Sequence, residues 1–131
     1  MTRAPLKVFI ADDSQPVADM LTELISVPGR IEVIGIGATE EATMASIRSL
    51  KPDVVVLDLQ LKTGLGTNVI RAVRANEELA RTLLMVTSNH TGPQLKAGCL
   101  ELGADGFFDK VKELGALAAA LAALAEAKQA G

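Results

Sequence analysis

The chain predicts an α/β fold built on an open parallel sheet with helices on both faces. Three observations lead there. Strand-like and helix-like segments alternate five times along the 131 residues, the signature of repeated right-handed βα units. The strand-like runs are short and mostly continuous in apolar residues rather than alternating, which suits strands buried on both faces. Four of the runs end in residues capable of chemistry: Asp12 and Asp13 after LKVFIA, Asp58 after VVVL, Thr87 after LLMV and Lys110 after GFFD. The carboxyl ends of parallel strands border one crevice, so these side chains are expected to converge.

Each element has a local justification. The first strand is expected at Leu6–Ala11. Val17, Met20, Leu21, Leu24 and Ile25 then recur at helical spacing, and Pro28-Gly29 closes that helix. A second strand spans Ile31–Gly37, after which Thr39, followed by Glu40 and Glu41, is a capped, acidic helix start. That helix presents Ala42, Ala45, Ile47 and Leu50 and ends at Lys51-Pro52. The third strand covers residues 53–58, with the loop LQLKTGLG separating it from a helix whose inner stripe is Val69, Ile70 and Val73. Residues 82–87 form the fourth strand, a helix with a half-buried Cys99 follows, and Gly106–Asp109 is the fifth strand. In the last helix Leu114, Leu117, Leu121 and Leu124 form a stripe fit to pack on the sheet. Its other face is mostly alanine, which reflects helix propensity or a partner surface.

Composition narrows the function classes. The length fits one domain, residues 1–131, with a core that buries roughly two-thirds of the unfolded surface. Hydrophobic residues at 49% are too many for a disordered chain. No apolar run approaches the ~20 residues of a membrane span, so no membrane contact is expected. Net charge is −3, the pI is near 5.1, and the basic residues are scattered, which argues against a nucleic-acid partner. MTRAPLKVFI lacks the apolar core of a signal peptide, and the lone Cys99 has no internal disulfide partner. A cytoplasmic location is expected. His90, the one histidine, falls in the loop after the fourth strand and is expected to be exposed.

The acidic pair Asp12-Asp13, then Asp58, Thr87 and Lys110 in that order, with Phe107 three residues before the lysine, resembles the receiver domain of two-component response regulators. The resemblance runs through the whole chain. It implies a flavodoxin-like (βα)5 three-layer sandwich with parallel sheet order 2-1-3-4-5. It also implies a stand-alone receiver that takes a phosphoryl group from a histidine kinase or histidine phosphotransfer protein onto Asp58. Such a domain catalyses its own phosphorylation and dephosphorylation but acts mainly as a switch.

Each matched position has a physical reason. Asp58 can attack phosphorus to give an aspartyl-phosphate, and no helix follows it closely enough for it to be a cap. Asp12 and Asp13 beside Asp58 would repel it by roughly 4 kcal/mol at 4 Å and an effective dielectric near 20, so a cation is needed. The oxygen-rich, water-accessible set suits Mg²⁺. By resemblance Asp13 and Asp58 are direct ligands, the Gln60 carbonyl is a third, and Asp12 acts mainly through water; Asp12-Asp13 can also form an Asx turn into the first helix. Lys110 and Thr87 are the phosphoryl-side partners, offsetting charge on the transferred oxygens. Phe107 takes the switch-aromatic position. With no hydroxyl to keep in water, its ring is expected to sit inward, with Phe108 on the opposite side of the strand. By resemblance, Gln60 and Asn89 hold the positions that tune attack of water on the phosphorylated state. A downstream target or a second copy would dock on the face shared by the fourth helix, fifth strand and last helix.

Three positions depart from the family pattern. Lys62 replaces a usual proline four residues after Asp58, which predicts a more mobile loop, although Gly66 fits. Val111 replaces the proline after the site lysine, and a cis bond there would cost about 2.5–4 kcal/mol, so a trans turn is expected. Ser88 replaces a usual Ala or Gly and narrows access to the site. Lys62 and Val111 slightly favour an alternative, a phosphorylation-independent adaptor with the same fold, and the intact site opposes it. A haloacid-dehalogenase-type phosphatase would need a second Asp where Gln60 stands. A flavodoxin would not begin its phosphate loop with Asp12-Asp13, and the chain has no Trp or Tyr to stack on flavin.

Overall fold

Val54–Asp58, an unbroken run of β-branched and apolar residues ending in aspartate, is buried along its whole length and forms the centre of a five-stranded sheet. The computed structural model describes residues 4–131. In chain order the elements are β1 (Leu6–Ala11), α1 (Gln15–Ile25), β2 (Ile31–Gly37), α2 (Glu40–Leu50), β3 (Val54–Asp58), α3 (Gly66–Ala75), a 3-10 turn (Glu77–Leu79), β4 (Leu83–Ser88), α4 (Pro93–Leu102), β5 (Gly106–Asp109) and α5 (Leu114–Ala130). The strands lie in the order β2-β1-β3-β4-β5 and every pairing is parallel. This is the flavodoxin-like sandwich expected from the sequence.

Alternation along the strands divides the core into two layers. Val8, Ile10, Val54, Val56 and Met85 point to one face, where they meet Ala18, Leu21 and Ile25 of α1 and Leu117 and Leu121 of α5. Phe9, Val55, Leu57, Leu84 and Val86 point to the other face, against α2, α3 and α4. Burial on both faces explains why the strands read as continuous apolar runs. Local signals set the helix ends. Ser14 Oγ accepts from Val17 N at 3.3 Å and Thr39 Oγ1 from Ala42 N at 3.1 Å, each satisfying an amide that the first turn cannot bond. Lys51 closes α2 in the left-handed region at φ 47°. At the far end of the sheet Lys128 Nζ in α5 bonds Asp53 Oδ2 at 2.7 Å and the Pro5 carbonyl at 2.9 Å.

Two helical faces differ from expectation. In α1 the buried positions are Ala18, Leu21 and Ile25, whereas Met20 and Leu24 are 46% and 45% exposed. In α2 they are Thr43, Met44 and Ile47, and Ala42, Ala45 and Leu50 face outward. The buried face of α1 is narrower than expected, and that of α2 is displaced to Thr43 and Met44, with the Thr43 hydroxyl lying against Gly37 of β2. Cys99 is fully buried rather than half-buried. The third strand begins one residue later than expected, at Val54, and the fourth is shifted by one residue at both ends, to Leu83–Ser88.

Candidate functional site

Parallel register brings the strand ends together. Ala11 pairs with Leu57, so Asp12 emerges beside Asp58; Asp58 pairs with Thr87, and Ser88 with Asp109, so Lys110 emerges next to Ser88. Lys110 N donates to the Ser88 carbonyl at 2.9 Å, prolonging the ladder by one residue. One carboxylate oxygen from each of Asp12, Asp13 and Asp58 lies within 4.8 Å of the others. Asp12 and Asp58 are buried and Asp13 is exposed, so the cluster opens to water on one side.

The charge within this cluster is partly offset by the chain itself. Lys110 Nζ hydrogen-bonds Asp58 Oδ2 at 2.8 Å and forms an ion pair with Asp12 Oδ2 at 2.7 Å, the latter poorly directed for a hydrogen bond. The other oxygens are held by backbone amides: Asp12 Oδ1 accepts from Ser14 N at 2.9 Å and Asp58 Oδ1 from Gln60 N at 3.2 Å. The Asx turn expected at Asp12 is therefore present alongside the carboxylate cluster. Burial pushes the Asp58 pKa above the usual carboxylate value, outweighing the hydrogen bond and charge of Lys110 and the Gln60 amide. For Lys110 burial works in the opposite direction, yet the close contacts and charges of Asp12 and Asp58 together raise its pKa above the ordinary value.

The remaining expected residues surround this core. Thr87 Oγ1 is buried and has no hydrogen-bond partner among the described residues. A donor without an acceptor is costly unless something occupies the crevice. Phe107 is 7% exposed and packed in the layer beneath α3 and α4, while Phe108 packs on the opposite face. Gln60 and Asn89 are exposed at the rim. Ser88 is buried, with its Oγ accepting from His90 N at 3.0 Å, and His90 itself is exposed.

Both replaced prolines have a structural counterpart. Lys62 N donates to the Ala38 carbonyl at 2.8 Å, and Val111 N donates to Asp109 Oδ1 at 2.7 Å, neither of which proline could do. The loop expected to be mobile is thus tied by its backbone. The turn after Lys110 is trans, since no peptide bond among the described residues is cis. That turn is closed further by Lys112 N on Asp109 Oδ1 at 3.1 Å and by Asp109 N on Glu113 Oε1 at 3.0 Å, a reciprocal arrangement like a capping box.

Nothing in the sequence signals a contact between Glu40 and the loop after Asp58. The Glu40 carboxylate crosses from α2 to that loop, and the Leu65 amide and Asn68 side chain hold its pKa below the usual value. No local pattern links residue 40 to residue 65. Gly66, which opens α3, was legible: a Cβ there would run into the Asp58 carbonyl and come within 2.8 Å of Leu59 Cα.

Residues 8–122 match the response regulator receiver domain family. Among solved structures, the signal receiver domain of the response regulator NarL from Mycobacterium tuberculosis superposes with a TM-score of 0.83 at 27% identity, covering 94% of this chain and 98% of that one. The response regulator domain of Thermotoga maritima CheB shares the fold at a TM-score of 0.77 and 21% identity, covering 97% and 98% of the two chains. Among curated proteins, the protein-glutamate methylesterase/protein-glutamine glutaminase of Bacillus subtilis is 32% identical over 106 residues, which is 80% of this chain and 29% of that protein. The chain spans less than a third of the length of that relative. It belongs to the receiver domains of two-component response regulators. No helix among the described residues is long and apolar enough to cross a membrane.

Proposed function

We propose that this receiver takes a phosphoryl group from the phosphohistidine of a histidine kinase or histidine phosphotransfer protein onto Asp58, with Mg²⁺ in the acidic crevice. The observation that carries this reading is the pairing of the Asp58 carboxylate with an ammonium at 2.8 Å in a crevice that also holds Asp12 and Asp13. An Asp58 oxygen attacks phosphorus, the phosphorus–nitrogen bond of the donor breaks, and the imidazole nitrogen leaves with the bonding pair and takes a proton from water. Lys110, with Nζ 2.8 Å from Asp58 Oδ2, would offset charge on the transferred oxygens. The Thr87 hydroxyl, buried without a partner, has a proton to donate to one of them.

The donor set fits a hard, oxygen-seeking cation. Asp13, Asp58 and the Gln60 carbonyl would hold Mg²⁺ directly and Asp12 through water, while the open side at Asp13 leaves room for the waters that Mg²⁺ retains. When bound, the ion would neutralise phosphoryl charge and hold the phosphoryl group in line with Asp58. Gln60 and Asn89 at the rim are neutral amides able to orient or block water, so substituting them should change the lifetime of the phosphorylated state without preventing its formation. Attraction of Thr87 toward the phosphoryl group would repack the strand end beside Phe107, whose ring already lies inward, and so reshape the face shared by α4, β5 and α5, where a target protein or a second copy would dock.

Intact mass after incubation with a small phosphodonor tests the reading. The expected result is a gain of one phosphate that requires Mg²⁺ and is absent in Asp58→Asn. A protein that stays unmodified would leave the fold acting as a phosphorylation-independent adaptor.

A further inference from the structure

We infer that Glu40, on α2 and outside the acidic crevice, is a positioning residue that sets the Gln60 carbonyl for metal binding by clamping the loop between β3 and α3. This rests on the metal reading proposed above. The loop is joined to the start of α2 at several successive points: Lys62 N donates to the Ala38 carbonyl at 2.8 Å, Glu40 N to the Thr63 carbonyl at 2.9 Å, and Leu65 N to Glu40 Oε1 at 3.0 Å. The same oxygen also accepts from Asn68 Nδ2 at 3.0 Å, which ties the first turn of α3 to the clamp. Leu65 is the β-bridge partner of Gln60, so the carboxylate holding Leu65 stands one backbone pairing away from the Gln60 carbonyl.

The local sequence is shaped around this contact. Gly64 has φ +92°, and a Cβ there would collide with the Glu40 side chain, its Oε1 lying 2.6 Å away. Glycine is the residue that both tolerates that backbone and lets the carboxylate pass. The Leu65 amide and the Asn68 side-chain amide favour the charged form of Glu40 and lower its pKa. Glu40 also borders an open groove between α2 and α3, with Arg48 and Thr63, so shortening it removes no core packing. A proline at position 62 would stiffen this loop from within. Here the stiffness comes from outside, through α2.

Calorimetric titration with Mg²⁺ of the parent, Glu40→Ala and Glu40→Gln, together with thermal melts of the metal-free proteins, tests the role. Glu40→Ala should bind Mg²⁺ about 10–100-fold more weakly, the range typical for removing a group that orients a metal ligand. Glu40→Gln should recover much of the affinity, because its amide oxygen accepts the same two hydrogen bonds. Amide exchange at Lys62 and Leu65 should speed up in Glu40→Ala before any metal is added. If Glu40→Ala binds Mg²⁺ as tightly as the parent, whatever its melting temperature, the clamp is only structural and the inference fails while the metal reading stands. If the parent takes up no Mg²⁺, the metal reading fails and takes this role with it.

Discussion

Lys110 and Asp12, nearly a hundred residues apart in sequence, form a buried ion pair with Nζ 2.7 Å from Oδ2. The sequence reading assigned this lysine to the phosphoryl group alone, and a cation had to be found for the carboxylates. The structure shows that the lysine is itself a counter-ion of Asp12 and Asp58. Its removal should therefore be felt without any ligand. Lys110→Met is expected to lose about 3 kcal/mol in urea unfolding without Mg²⁺, the cost of leaving buried charge unpaired. The loss should be fully present below the ordinary lysine pKa of 10.5 and shrink at higher pH, because the native state raises the Lys110 pKa and the stabilisation disappears as the parent lysine deprotonates. A variant as stable as the parent at neutral pH contradicts the pairing.

Asp58 titrates with the opposite consequence. Its native pKa lies above 3.8, so folding favours the protonated acid, and the ionised form costs stability once the pH has risen through the native value. Asp58→Asn, which carries no charge at any pH, should be more stable than the parent at neutral pH without metal. That advantage should vanish below pH 3.8. Denaturant midpoints across the acid range measure it, and an advantage independent of pH would show that charge is not the cause.

Asp13 is the exposed member of the cluster, and its negative charge has water beside it. Asp13→Asn is expected to raise metal-free stability by less than about 1 kcal/mol, as exposed charges interact weakly, and to weaken Mg²⁺ binding. Thermal melts with and without Mg²⁺ separate the two effects. A variant that is less stable without metal, or that binds Mg²⁺ as tightly as the parent, overturns this expectation.

Restoring the family's prolines should do harm. Lys62→Pro removes the amide that bonds Ala38, and Val111→Pro removes the amide that bonds Asp109. Lys62→Pro is expected to destabilise by about 1–3 kcal/mol, because the Ala38 carbonyl loses its donor, and Val111→Pro by less than about 1 kcal/mol, because the exposed Asp109 Oδ1 keeps Lys112 N. Equilibrium unfolding would reveal either variant as more stable than the parent if local stiffness outweighs the hydrogen bond.

Much of this was legible in the chain because it depends on short-range pattern. The continuous runs marked the strands, Thr39 and Lys51-Pro52 marked the ends of α2, and the residues at strand ends marked the crevice, since parallel order alone carries them to one side. The orientation of α1 and α2 was less legible. Met20 and Leu24 are as apolar as Leu21 and Ile25, and only contact with the sheet decides which pair is buried. Least legible were the contacts that replace the prolines. A backbone amide looks the same in every sequence, and the carboxylates that meet such amides at Leu65 and Val111 could be identified only after folding had set Glu40 and Asp109 in place.

Gly66 packs directly against the backbone of Asp58 and Leu59, with no room for even a methyl group. The start of α3 and the backbone of Asp58 are therefore a single machined fit, with the tolerance set by one hydrogen atom. Residues on the outer side of α3, such as Arg71, can be exchanged to suit a new neighbour without disturbing that fit. The domain can in this way be re-addressed on its surface while the placing of Asp58 against α3 stays the same.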